Sequence, residues 1–507
     1  MALRCRLLLL LLLVLLYACA ATMPVKAQRA DASGKTGFDD EKLARIIGKI
    51  QSRLDEWRVS SKFPGASVGV VLPDGRVASV STGVADLETR QQLKPEDRML
   101  AGSIGKTFVA AEALLLVEEG KLSLDERIEH RLGGETWFAE LPNAKDITLR
   151  MLLNHSSGIQ NHVDNGSFIK ALLKDSTRDI KYEELIAYVL NKKPLFPAGK
   201  GFHYADTNYI ILGLIIEKAT RKTLYDQINE RILRPLKLDQ TIPANARTIP
   251  RVANGYFQNK PIITGGKFTA NPQWEWAGGG FASTAEDLAR WARALYGGDV
   301  LKAASLDEML SSTTTGEGKN YGLGVEIVQS KWGKAFGHDG EFPGYLSDMR
   351  YYPRYKISVA VQVNSDETPE VSRFMASAVD DFAQIIIEET SARKLAEEDK
   401  LKLQTLTESW LKLVDAGKYA ESWEELSAEL KARYAKEKWQ SALQPLTGKT
   451  GKIKARKLKG LQYSDPEAQT IAAEFESSFT KIATASEIVI LKLEADGKWR
   501  VASYSIK

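Results

Sequence analysis

The stretch Ser103-Ile104-Gly105-Lys106-Thr107-Phe108-Val109-Ala110-Ala111-Glu112-Ala113-Leu114-Leu115-Leu116-Val117-Glu118-Glu119 is apolar on almost every side from Phe108 onward. A helix without a polar face is a buried helix. Gly120 stops it, and Ser123-Leu124-Asp125-Glu126 is a capping box that starts the next segment. Ser103 and Lys106 stand three residues apart at the first turn, so their side chains share one face. Taken alone, Ser103 reads as a helix N-cap. Lys106 does not fit that plain reading, because a cation in the first turn opposes the helix dipole.

Outward from this helix, the N-terminal side predicts a helix over 39–57, with Leu43, Ile46, Ile47, Ile50 and Leu54 on one face. Two strand-like runs follow, Ala66–Leu72 and Arg76–Thr82, joined by the turn Pro73-Asp74-Gly75. The C-terminal side is helical with loops from about Arg127 to Tyr296. It includes an apolar helix over 209–219 and a helix capped by Ser283-Thr284-Ala285-Glu286. Strands return at 322–328, 335–337, 346–352 and 357–364. The last alternates at Ile357, Val359, Val361 and Val363. A helix over 369–388 closes the region. Strands from both ends thus flank a helical middle, so the expected class is α+β: one antiparallel sheet covered by helices, with an inserted helical subdomain.

With 507 residues, more than one core is expected. Residues 38–390 form the first domain of this reading, 391–400 a charged linker, and 401–507 a small α+β domain. That domain has helices at 405–416, 419–426 and 430–443, then strands at 454–462, 470–479, 487–493 and 499–505. Trp410, Trp423, Trp439 and Trp499 read as core there rather than as a ligand cage.

Residues 1–27 read as an export signal. Arg4 and Arg6 precede an apolar run from Leu7 to Ala21, and Val25-Lys26-Ala27 offers small residues for cleavage. The chain is therefore expected to be periplasmic or secreted, with no transmembrane span once mature. The alternative is lipidation at Cys19, in Leu16-Tyr17-Ala18-Cys19, although Tyr17 is bulky for such a box. Both cysteines lie in this segment, so no disulfide or thiol chemistry is expected beyond it. A net charge of +4 without a basic stripe does not suggest nucleic acid, and none is expected as a partner. The five histidines form no His-Glu-x-x-His pair, and neither a metal nor a cofactor is expected. His155 reads as a hydrogen-bonded structural residue and His203 as packed. Gly105-Lys106-Thr107 mimics the end of a phosphate loop, but Leu100 stands where that motif needs glycine. A Gly-x-Ser-x-Gly elbow is absent.

Two further stretches carry chemistry. Tyr204-Ala205-Asp206 opens the second apolar helix and places a phenol where it can serve a serine nucleophile. Gly337-His338-Asp339-Gly340-Glu341 stands at a strand end, where glycine lets backbone approach a ligand. The ordered set Ser-x-x-Lys, Tyr-x-Asp and His-x-Gly resembles the serine β-lactamase and D-Ala-D-Ala carboxypeptidase superfamily, in its class C-like branch. So do Leu153-Asn154-His155-Ser156-Ser157-Gly158, the stretch Gly278-Gly279-Gly280-Phe281-Ala282-Ser283-Thr284-Ala285-Glu286-Asp287-Leu288, and Pro343-Gly344-Tyr345. The likeness covers about residues 40–390. Residues 401–507 resemble small bacterial domains of unknown function, similar in shape to cystatin-like or NTF2-like folds.

The resemblance implies an acyl-enzyme on Ser103. It gives Lys106 and Tyr204 the serine proton, with Tyr204 as general base. It implies an oxyanion hole from the N–H groups of Ser103 and Glu341, each such donor being worth about 2.7–4 kcal/mol. Asp206, His338 and Gly340 would contact substrate, a small peptide or ester that includes peptidoglycan fragments; oligomeric state is not implied. Two residues depart from the family pattern. Asp206 replaces asparagine, which favours a charged Lys106 and, on this reading, supports a Tyr204 phenolate. His338 replaces the lysine of true β-lactamases. Both favour a peptidase or esterase with weak or no β-lactamase activity. The alternative of another class is a catalytically silent peptidoglycan- or peptide-binding protein on the same fold.

Overall fold

The computed structural model describes residues 40–311, 313–314, 320–330, 332–366, 368–391, 397–465 and 470–506. The export signal, both cysteines and half of the expected linker (392–396) lie outside the described residues. The chain divides into two compact units between Ile385 and Ile386.

In the first unit, helix α1 (Asp40–Ser61) runs four residues past the expected end. Strands β1 (Gly65–Val71) and β2 (Val77–Gly83) form the predicted hairpin, with Gly75 at φ +86° in the turn. Helix α2 (Gly105–Glu118) has eleven buried residues, from Gly105 to Leu114 and Leu116. Helix α3 (Asp206–Thr220) is buried from Thr207 to Ile216. Helix α4 (Ala285–Tyr296) is capped by Thr284, whose side chain accepts the Asp287 N–H, one residue later than the Ser283–Glu286 capping box predicts. Then come β3 (Glu326–Ser330), β4 (Gly333–Phe342), β5 (Tyr345–Tyr352), β6 (Ile357–Val363) and helix α5 (Pro369–Ser391). With two short strands at 313–314 and 320–321 they build one antiparallel sheet, whose order is 313–314, 320–321, β3, β4, β5, β6, β1, β2.

Helices cover both faces of the sheet centre. On one face α4 approaches β1 so closely that a Cβ on Gly69 would lie 2.2 Å from the Ala285 carbonyl oxygen. On the other, Phe374 of α5 packs against Trp57 and Phe63, with ring centroids at 5.4 and 5.0 Å. This is why β6 is buried at all seven positions rather than at alternate ones. Its Ser358 satisfies its hydroxyl by donating to the Ala289 carbonyl at 2.6 Å.

Two expectations need correction. β4 is ten residues long, not three, so His338-Asp339-Gly340-Glu341 lies within a strand rather than in a turn past one. The single helix expected over 430–443 is two, because Tyr434 is extended and breaks it.

In the second unit, helices α6 (Glu397–Asp415), α7 (Tyr419–Glu424), α8 (Ala428–Arg433) and α9 (Lys436–Thr450) precede strands β7 (Ile453–Asp465), β8 (Thr470–Phe479), β9 (Ala485–Leu493) and β10 (Trp499–Ile506). The strands form an antiparallel sheet in chain order. Trp410 and Trp439 are buried in its core, and Trp423 and Trp499 pack against it, as the sequence implies. Glu487, fully buried, accepts hydrogen bonds from Arg456, Ser477 and Tyr504.

Candidate active site

A small sheet places Ser103. Residues 99–100 pair with 282–283, and the Ala101 N–H donates to the Phe281 carbonyl at 2.9 Å. The chain then turns through one 3-10 turn, Gly102–Ile104, before α2 begins. Ser103 lies inside this turn and caps nothing; the residue before α2 is Ile104, which makes no side-chain cap. The N-cap reading therefore fails.

β4 supplies the facing wall. Its pairing with β3 ends at Gly337, so among the described residues no strand pairs with 338–342 on that side. The turn carrying Ser103 packs there instead. A Cβ on Gly102, which has φ +54°, would lie 2.6 Å from the Glu341 nitrogen, and a Cβ on Gly340 would lie 2.0 Å from the Ala101 oxygen. Only glycine permits both approaches. Glu341 N is thus brought beside the peptide that leads into Ser103.

Lys106 is fully buried, and its ammonium is saturated. An ammonium has three hydrogens to donate. Here Nζ contacts Ser103 Oγ at 2.9 Å, Asp206 Oδ1 at 2.5 Å and the Gly278 carbonyl oxygen at 2.5 Å. Asp206 is the first residue of α3, held by its own N–H on Asn161 Oδ1 at 3.0 Å. The carboxylate in the usual asparagine position is thus a direct ion-pair partner of Lys106.

Tyr204 joins them from the other side. Its ring lies 4.9 Å from Lys106 Nζ, and its hydroxyl is buried without a hydrogen bond among the described residues. Burial holds this phenol well above the usual tyrosine range and Asp206 pushes it further up, while the nearby Ser103 hydroxyl works the other way. The expectation that Asp206 supports a resting phenolate is therefore corrected. The carboxylate offsets the Lys106 charge and adds its own repulsion, so Tyr204 rests as a neutral phenol.

His155 organises this side of the site. Its backbone oxygen accepts the His203 N–H at 3.0 Å, and its Nδ1 accepts the Ala205 N–H at 3.2 Å. Its ring lies 4.3 Å from that of Tyr204. Ser157 Oγ receives the Ile159 N–H and donates to Asn208 Oδ1, which turns the Asn208 amide nitrogen toward His155 Nδ1 at 3.1 Å. The acceptor on this neutral imidazole is therefore Nδ1 and its proton sits on Nε2. Burial, then repulsion from Lys106, keeps the ring uncharged.

His338 is buried, and both of its nitrogens are engaged. Nδ1 lies 2.6 Å from the Asp339 carbonyl oxygen and Nε2 lies 2.9 Å from Tyr321 Oη. Burial lowers its pKa, so the ring is neutral. The expected contact with an anionic substrate group would require one of these bonds to break. Among the described residues, Glu326, His338 and Asp339 bring metal-ligand types within 4.8 Å of one another. The ring nitrogens are already used, however, and Glu326 Oε2 accepts from Arg350 at 2.6 Å.

Sequence reasoning named Ser103, Lys106, Tyr204, Asp206, Gly340 and Glu341, and the structure brings these residues together. Sequence reasoning missed Asn208, Tyr321 and Glu275, and assigned His155 no part beyond structure. Glu275 is 9% exposed and lies beside the site. Its only signal was its position just before the glycine-rich run at 278–280.

Residues 43–384 match the family described as Beta-lactamase, and residues 406–504 match a family described as a protein of unknown function, DUF4019. Penicillin-binding protein 4* of Bacillus subtilis (strain 168) is 26% identical over 320 residues, which span 59% of this chain and 68% of that protein. The D-stereospecific amidohydrolase of Streptomyces sp. superposes with a TM-score of 0.56 at 26% identity, covering 64% of this chain and 97% of that one. The D-amino acid amidase of Ochrobactrum anthropi SV3 does so with a TM-score of 0.57 at 25% identity, covering 68% and 98%.

Proposed function

From the premise that the chain belongs to the Beta-lactamase family and is a serine hydrolase, we propose that it is exported and acts through a Ser103 acyl-enzyme on an amide, peptide or ester. The observation that carries this reading is the 2.9 Å contact between Lys106 Nζ and Ser103 Oγ, inside a site where Lys106 is fully buried. Ser103 Oγ attacks the carbonyl. The reactive form is the one in which the Lys106–Tyr204 pair has already given up one proton to solvent; that basic pair takes the proton of Ser103 and returns it to the leaving amine or alcohol. The oxyanion is received by the N–H groups of Ser103 and Glu341, and water then releases the acid from the acyl-enzyme. Export rests on the basic and apolar character of residues 1–27.

Several features favour amides and esters over β-lactams and peptide carboxylates. Lys106 has no donor left for a substrate carboxylate, and His338 is neutral with both nitrogens occupied. The two amide hydrolases that superpose on the chain point the same way.

The test is a fluorophosphonate probe followed by p-nitrophenyl esters, aminoacyl amides, D-Ala-D-Ala peptides and nitrocefin, on wild type and Ser103→Ala. Wild type is expected to take the probe and turn over esters or amides faster than nitrocefin, and Ser103→Ala to lose both by at least about a thousandfold. Activity that survives in Ser103→Ala refutes the nucleophile; no adduct on wild type makes the protein a binder on this fold.

A further inference from the structure

Glu275 is a buried carboxyl that makes no hydrogen bond through its side chain to the described residues. It lies in the turn that runs on to Gly278, whose carbonyl holds Lys106, and Gly279. A Cβ on Gly279 would lie 2.4 Å from Glu275 Oε2 and 2.7 Å from the carbonyl carbon and oxygen of Gly102. Glycine at 279 therefore leaves the carboxyl against the peptide that leads into Ser103. Its charge neighbours stand on both sides of Ser103: Asp206 and Lys106 at the head of α3 and α2, Glu341 on β4. Burial, Asp206 and Glu341 push this carboxyl up to about 8, against Lys106.

A carboxyl this close to the turn that carries Ser103, and without a fixed hydrogen-bond partner, is open to a ligand. The surroundings state what charge that ligand carries. The one ammonium near Ser103 among the described residues has spent its three hydrogens on Ser103, Asp206 and Gly278. His338 is neutral and occupied. The other ionisable side chains that act on the site among the described residues include the carboxyls of Glu275, Asp206, Glu341 and Asp339. A substrate carboxylate would meet repulsion here without a donor in return, whereas an ammonium would meet acceptors.

We propose that Glu275 is a specificity-determining residue that receives the free amino group of the substrate, so that the enzyme acts on aminoacyl amides or esters with an unblocked ammonium beside the scissile carbonyl. This inference rests on the reading of Ser103 as the nucleophile.

The test compares D- and L-phenylalanine p-nitroanilide with their N-acetyl and N-succinyl derivatives, on wild type and Glu275→Gln. In wild type, N-acetylation is expected to lower kcat/KM about tenfold or more, the scale of a lost charge-assisted hydrogen bond, and N-succinylation further. In Glu275→Gln the ratio between free and acetylated substrate is expected to collapse toward unity. Equal or better turnover of the acylated substrates by wild type overturns the proposal, as does an undiminished ratio in Glu275→Gln. Should Glu275→Gln fail to fold, wild type still decides. Phenylalanine amide must protect Ser103 from the fluorophosphonate probe, and N-acetylphenylalanine amide must not; equal protection, or none by either, overturns the proposal. Labelling of Ser103 without any preference for the free amine sinks this inference alone, while absence of labelling sinks the reading beneath it.

Discussion

Replacing Asp206 by asparagine tests the electrostatics of the site most directly. The amide keeps the shape of the side chain and an oxygen that Lys106 can reach, and removes one negative charge. Asp206 Oδ1 lies 2.5 Å from Lys106 Nζ, and the Asp206 side chain is 18% exposed, so the charge is only partly screened by water. The phenol of Tyr204 loses the second-largest influence that holds its pKa up; burial, the largest, remains. The sign follows. If acylation needs the Lys106–Tyr204 pair to give up a proton, the basic form becomes easier to reach and the rising limb of kcat/KM against pH moves to lower pH. A single charge at this range shifts a neighbour by about 1–3 units, and partial exposure places the expected shift at the lower end. The assay is the second-order rate of acylation by a p-nitrophenyl ester from weakly acid to strongly alkaline pH. Asp339→Asn is the internal control, because Asp339 also pushes Tyr204 up but is more than half exposed. Its limb should move the same way, by less, and its shift should shrink with added salt. A rising limb that stays in place in Asp206→Asn, or moves to higher pH, refutes the reasoning.

Two further outcomes are expected. His155→Leu removes the acceptor for the Ala205 N–H and the support of the Tyr204 ring. It should lower kcat by about 10²-fold, the effect of a misplaced catalytic group, while His155→Asn, which keeps an oxygen near Nδ1, loses less. Equal kcat in wild type and the leucine variant would show that Tyr204 is positioned without His155. Gly340→Ala would drive a methyl group to 2.0 Å from the Ala101 oxygen, which costs about 1–3 kcal/mol and moves β4 off the turn that carries Ser103. A thermal melt and kcat that both match wild type would contradict the close approach.

The amino-acid sequence alone determined what depends on near neighbours along the chain. The apolar run after Lys106 sets a buried helix, the three-residue spacing puts Ser103 and Lys106 on one face, and Thr284 marks the start of α4 three residues before the N–H it caps. The order of the three motifs identified the family for the same reason: each is short and local. Only the tertiary structure decided what those residues do to one another. Asp206 reaches Lys106 across one hundred positions, and the Gly278 carbonyl does so across more. No periodicity encodes such contacts, because they arise where α2, α3 and the glycine-rich turn converge. Charge states were equally out of reach. The upward shifts of Tyr204 and Glu275 and the downward shifts of His155 and His338 come first from desolvation, and desolvation belongs to the packed interior rather than to the residue. Ser103 shows the division at its sharpest. Its sequence neighbours alone suggest a helix cap, whereas its neighbours in space set its hydroxyl 2.9 Å from Lys106 Nζ, in a turn that packs against Glu341.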